Sequence, residues 1–249
     1  MKRTTIQRIG LILGAIISAI SLTVLPAGAL ATPKTVNETG TSVKAGDQAK
    51  VQRIIARGNS EISRRLNTLN TLNGKINSAT KLSAADKAPL SSEVLSEIDG
   101  LNNLKTKLDA DTTVSDAQSD AQSIINDYRV YALIVPKINL IKTADDQQVA
   151  EAKLSALATK LQTRVTTAKT AGKNVTSLQS GLDGMNSKIS TAQSISSQIE
   201  SSVINLQPSD YNTNHSVLSG DRNQLKTAQT DIQAAVTAGT TIVNGLKNL

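Results

Sequence analysis

Leu178, Leu182, Met185, Ile189, Ala192, Ser196, Ile199, Val203 and Leu206 follow one another in alternating steps of four and three residues. On an α-helix this spacing puts all nine side chains on one stripe, which buries lengthwise against other helices. Such a helix needs partners with matching stripes, and the rest of the chain supplies them. Ile55, Ile62, Leu69 and Ile76 lie seven apart with Val51, Leu66 and Leu72 beside them, which predicts a first helix from about Asp47 to Ala79.

Ser83 with Asp86 three residues on has the pattern of a capping box opening a second helix. Pro89 is tolerable near its first turns, and Leu90, Val94, Ile98, Leu101, Leu104 and Leu108 form its apolar face. Thr113 with Asp116 repeats the signal for a third helix running towards Tyr128. Residues Val130 to Val135 are rich in β-branched side chains, but a lone strand has no partner in a helical chain. That run is expected to be buried helix that breaks or bends at Pro136. A fourth helix, about Lys137 to Ala171, carries Ile138, Ile141, Leu154, Leu157, Leu161 and Val165. Gly172 is its stop and Asn174 the N-cap of the ladder helix. The ladder helix is expected to end near Gln207-Pro208, with a polar loop from Ser209 to His215. The last helix carries Leu218, Leu225, Ile232, Val236, Val243 and Leu246. Ser196 falls in the ladder stripe, and Arg222 and Gln229 in the last one; such polar insertions favour intramolecular packing over a continuous dimeric coiled coil. The predicted class is all-α: an elongated antiparallel bundle of five to six long amphipathic helices with coiled-coil-like packing, occupying 47–249 with a possible sub-boundary near 172. Residues 69–79 and 182–192 match at five of eleven positions, which heptad convergence explains as well as duplication does.

The ends carry other information. Lys2, Arg3 and Arg8 precede an uncharged, largely apolar run from Ile9 to Leu25, and Pro26 breaks it. Ala27-Gly28-Ala29 and Ala29-Leu30-Ala31 offer the small-x-small pattern of a cleavage site, so residues 1–31 are expected to be a signal peptide cut after Ala29 or Ala31. A retained anchor is the alternative, although 17 residues is at the lower limit for spanning a bilayer. Residues 32–46, with Pro33, Gly40 and Gly46, are expected to be a flexible linker. Cleavage removes three of the 27 basic side chains and no acidic one, leaving 24 against 20. That weak positive charge, with no Phe or Trp and three Tyr, argues against a nucleic-acid partner and against a surface that stacks sugars. The absence of cysteine leaves stability to helix packing and excludes a lipoprotein anchor.

Asp127-Tyr-Arg-Val-Tyr-Ala-Leu-Ile-Val-Pro-Lys137, together with 82–86, 111–114, 171–175 and 206–212, resembles a family of uncharacterised exported all-helical proteins of Gram-positive and ultra-small (candidate-phyla) bacteria. The resemblance implies export and helicity and no activity.

Residues that bear chemistry are few. His215 is the only histidine and sits among Asn, Ser and Asp, where a solvated loop explains it better than a triad. Asp109, Asp111, Thr113, Ser115 and Asp120 have the spacing of a calcium loop, but Val114 stands where that turn needs Gly. A polar turn followed by a capping box accounts for the same residues. No catalytic, metal or cofactor residue is therefore assigned. The candidate interaction residues are Lys50, Arg53, Arg57 and Arg64, on the first helix away from its apolar stripe, and Tyr128, Arg129, Tyr131 and Lys137 around the Pro136 break. The expected function is a secreted, non-enzymatic structural or interaction module at the cell envelope, with a protein or envelope component as partner. Two alternatives are a peripheral binder of lipid or anionic surfaces, and a ligand sensor or enzyme using 128–137 or 209–216.

Overall fold

The computed structural model describes residues 41–249, with side chains from Lys44 onward. The expected signal peptide and most of the expected linker lie outside these residues. The chain forms α1 (Thr41–Ser78), α2 (Ala84–Asp109), α3 (Val114–Asn126), a π turn (Val130–Ile134), α4 (Val135–Thr170), α5 (Thr176–Val203), α6 (Pro208–Thr213) and α7 (Ser219–Lys247). The fold is all-α, and the long helices are those expected. Among the described residues no helix is long and apolar enough to cross a membrane.

The helix ends follow local chemistry. Ser83 Oγ accepts from Asp86 N at 3.0 Å, and Thr113 Oγ1 from Asp116 N at 3.1 Å. These bonds satisfy amides that have no partner within the helix. Gly172 takes φ 77°, and the bonds Gly172 N to Lys169 O and Lys173 N to Ala168 O close α4 as a Schellman turn. Asn174 supports the next helix from outside, its Oδ1 accepting from Thr176 N at 3.2 Å, while Val175 occupies the cap position.

Two apolar cores share α4. The first gathers α1, α2, α3, the π turn and α4 up to Ala144, with Ile199, Val203, Leu218 and Leu225 from the adjoining ends of α5 and α7. The second joins Leu154–Val165 of α4 to Leu178–Ala192 of α5 and Ala228–Ile242 of α7. The division between the cores thus falls inside α4, and the turn at Gly172 joins two helices of the second core. The contacts of α2 trace how the chain runs. Lys107 Nζ meets Asp120 Oδ1 at 2.7 Å, the Tyr128 ring lies against Gly100, Lys137 Nζ meets Glu93 Oε1 at 2.5 Å, and Ser83 N donates to Asp145 Oδ2 at 3.0 Å. Each step forward along α3 and α4 is a step back along α2. The helices α3 and α4, with the π turn between them, therefore make one interrupted rod antiparallel to α2.

Several expectations need correction. α1 starts at Thr41, so residues 41–46 of the expected linker are helical; a single Gly46 costs only about 1 kcal/mol in a helix. The break lies at Arg129, ahead of the π turn, and not at Pro136, which is in the first turn of α4 where its missing N–H is tolerated. Most of the expected loop 209–215 is helical, since α6 covers Pro208–Thr213. The α7 stripe is Leu225, Ala228, Asp231, Ile232, Ala235, Gly239 and Ile242. Arg222 and Gln229 are exposed, as are Val236 and, on α4, Leu157. Small residues bring α7 close to α5: a Cβ on Gly239 would lie 3.4 Å from Met185 Cε. On α5 the buried residues are the first eight positions of the ladder.

Candidate functional site: the interrupted rod and its strap

The joint between α3 and α4 gathers most of the unusual chemistry. Arg129 takes φ 42° and ψ 34°, left-handed for a side chain that rarely adopts it, at a cost of about 1–2 kcal/mol. Its carbonyl accepts from the amides of Ala132, Leu133 and Ile134, the last being the five-residue bond of a π turn. The connection from α5 to α7, containing α6, straps this joint from outside. Arg129 Nε donates to Asn212 Oδ1 at 2.5 Å and its Nη2 to Asn126 Oδ1 at 3.0 Å, while Asn212 Nδ2 donates to Asn126 O at 2.9 Å. The guanidinium lies over the Tyr211 ring at 5.5 Å, and Tyr211 faces the His215 ring at 5.0 Å. The segments 128–137 and 209–216, separate in sequence, thus meet.

Beneath the joint Lys137 is fully buried. Its ammonium donates to Glu93 Oε1 at 2.5 Å, Leu206 O at 2.8 Å and Ile204 O at 3.2 Å. A cation at the C-terminal end of α5 meets carbonyls that have no partner within the helix, and it complements the helix dipole. Lys137 was expected to be an interaction residue; it is an internal tie between α4, α2 and the end of α5. Glu97, one turn along α2 from Glu93, is pushed up to about 7 by burial and by the Glu93 charge, against the opposing pull of Lys137. Burial also raises Glu93 despite its bond to Lys137. The Tyr128 phenol is raised by burial, with the Glu97 and Asp127 charges adding to it. Tyr128 is half-buried against Gly100 and covers the core. Tyr131 is exposed, with Arg65 stacked on its ring at 5.1 Å and Thr68 Oγ1 3.3 Å from its hydroxyl.

Further polar groups are buried where little in the sequence marks them. Asp86, Asp145 and Glu200, from α2, α4 and α5, hold carboxylate oxygens within 4.8 Å of one another. Burial pushes Glu200 up to about 7 against its bond from Gln148, with Asp145 and Asp86 adding repulsion. Asp145 is raised too, by burial above all. Between the cores, fully buried Glu151 accepts from Ser196 Oγ at 2.9 Å, and Gln147 donates to Leu225 O at 3.0 Å. One signal was available: between Ile141 and Leu154 the only large aliphatic residue is Val149, so α4 turns polar there.

The basic row of α1 is exposed at Lys50, Arg53, Arg57 and Arg64. Lys50 pairs with Asp47 at 3.2 Å, Arg64 pairs with Glu61, and Arg53 Nε bonds Ala49 O at 3.2 Å. The first three residues of this row, Lys50, Arg53 and Arg57, line a shallow groove of about 220 Å³ with Val114 and Gln118. Neighbouring Arg65, unremarked in the sequence, is the buried one, and it pairs with Glu61. Of the calcium-spaced residues, Asp109 bonds Lys105 and Asn59, Thr113 caps α3, and Asp120 pairs with Lys107. Asp210 accepts from Gln207 N at 2.8 Å.

No protein family, no curated protein and no solved structure matches the chain. The five segments that carry the resemblance noted in the sequence all lie at helix joints: the starts of α2 and α3, the Arg129 break, the Gly172 turn and the strap.

Proposed function

We propose that the protein is a non-enzymatic helical interaction module acting outside the cell or at its envelope, with a protein or envelope component as its partner. The observation that supports this reading is the use made of the chemistry-bearing side chains at the joint. Lys137 pins α4 to α2 and to the end of α5, and Arg129 pins the rod to the strap. These groups hold helices in place. Export rests on the basic start, the apolar run and the small-x-small sites of the leading residues. The protein immobilised and exposed to isolated cell envelopes should retain one partner at both low and high salt. Specific turnover of a small molecule by purified protein would overturn the reading.

A second reading, peripheral attachment to an anionic surface, draws on the exposed row Lys50, Arg53, Arg57 and Arg64. Retention on anionic vesicles that fades as salt rises would favour it, since exposed charges are screened over about 10 Å at 0.1 M salt. The pairing of Lys50 with Asp47 and of Arg64 with Glu61 weakens that row.

A further inference from the structure

The last turns of α1 and the first turns of α4 line one groove, closed at one end by the π turn that precedes α4 and at the other by the loop that follows α1. At one end Tyr131 meets Thr68 and Arg65; at the other Lys81 pairs with Asp146 at 3.6 Å. Between these contacts lies a groove with a central volume of about 530 Å³, flanked by hollows of about 330 Å³ and 270 Å³ that share its walls. Leu72, Ile76, Leu82 and Ile138 form its floor. They belong to the first core, so the groove opens on a surface already fixed in shape.

The walls have helical spacing. Thr68, Leu72, Lys75 and Ala79 follow at steps of three and four on one side, and Val135, Asn139 and Lys142 on the other. Two parallel ridges over an apolar floor are the seat that a third helix fills. The stretch from Asn67 to Lys81 is about 20 Å long at ~1.5 Å per residue, which suits three to four turns of helix. Its charge is one-sided: Lys75, Lys81 and Lys142 line it against Asp146 alone. Asp146 already serves both Lys81 and Lys142, whereas Lys75 has no acidic partner among the described residues. Hydroxyl and amide groups of Thr68, Thr71, Asn139 and Thr143 along the walls suit the polar flank of a helix better than an acyl chain.

We propose that the groove between α1 and α4 binds an acidic amphipathic helix of a partner protein. Apolar residues of that helix at i, i+3 or i+4 and i+7 meet Leu72, Ile76 and Ile138, and its flanking Asp or Glu side chains meet Lys75 and Lys142. This rests on the interaction-module reading and names the surface and chemistry involved.

The chain has no cysteine, so Thr143→Cys places a single environment-sensitive fluorophore on the groove wall. The probe is a synthetic amphipathic peptide of about four to five turns with Glu flanking a Leu/Ile stripe; its control has Lys at every Glu. The full chain should bind the Glu peptide saturably, and Lys75→Glu should weaken that binding by about tenfold while favouring the Lys peptide. Lys75 is exposed, so melting of this variant should be unchanged. The absence of a saturable signal, equal binding of the two peptides, insensitivity to Lys75→Glu, or displacement of the peptide by anionic vesicles would each overturn the proposal. If an envelope partner is captured equally by wild type and Lys75→Glu, the groove is refuted while the module reading stands.

Discussion

Replacing Lys137 with Met tests whether the joint is held by a buried ion pair. The side chain is fully buried, and its three donors meet Glu93 and the carbonyls of Ile204 and Leu206. Met keeps most of the volume and removes every donor. A charge left unpaired in an interior costs about 3–5 kcal/mol, and orphaned carbonyls add to it. Glu93 keeps some contact with water, its side chain being 16% exposed, so the lower end, about 3 kcal/mol, is expected. For a folded region of this size that loss lowers Tm by about 6–12 °C. Urea titration followed by far-ultraviolet circular dichroism measures the change directly. The double variant Glu93→Leu with Lys137→Met removes both charges and should recover to within about 1 kcal/mol of wild type, because apolar replacement of a buried pair is often neutral. A loss below about 1 kcal/mol for Lys137→Met alone, or a double variant whose loss is the sum of the two single ones, would show that no coupled pair exists.

Glu97 and Glu200 both sit at about 7 in the folded protein against 4.5 ordinarily, so the folded state binds more protons than the unfolded one between those values. Stability should therefore fall as pH rises from about 4.5 to 7, by about 1 kcal/mol per group once screening by solvent is allowed for. Urea midpoints across pH 5–8 should show this slope, and Glu97→Gln with Glu200→Gln should flatten it. Ser83→Ala and Thr113→Ala each remove an N-cap bond and should lose about 1 kcal/mol in the same titration. Ser83→Ala leaves the backbone bond to Asp145 in place. Gly58→Ala puts a Cβ 2.4 Å from Leu108 Cδ2 and 3.3 Å from Ile124 Cδ1, in the first core. It should cost about 1–3 kcal/mol by overpacking, whereas Gly184→Ala, which meets nothing within 4 Å, should be neutral or stabilising.

What the sequence made legible depended on whether a residue's burial shows in its type. The α5 ladder is made of aliphatic side chains at helical spacing, and its first eight members are buried. Of the expected α7 stripe, Leu225 and Ile232 are buried, Val243 and Leu246 pack against the second core and Val236 is exposed; close approach to α5 adds Ala228, Ala235 and Gly239, small residues that carry little hydrophobic signal. The caps at Ser83 and Thr113 were readable because a hydroxyl three residues before a carboxylate has one dominant local use. Arg129 was not, since no sequence rule gives an arginine a positive φ. Its conformation is imposed by Asn126, Asn212 and Tyr211, two of them more than 80 residues away.

The buried polar groups sharpen the same point. Lys137, Asp145, Gln147 and Glu151 all lie on α4, which runs from the first core into the second. An unbroken aliphatic stripe there would let α4 slide by a turn against α2 and α5 with little change in apolar contact. Pairs such as Lys137–Glu93 and Ser196–Glu151 exist in one register only, because a slipped helix would bury those groups unpaired. Register in turn fixes which wall of the first core faces outward. The groove that runs along Leu72 and Ile138 is therefore set by polar groups on the opposite side of α4. If so, Glu151→Leu with Ser196→Ala should keep or raise helix content and stability while broadening the response of a fluorophore at Thr143, and an unchanged response would show that the aliphatic contacts alone set the register.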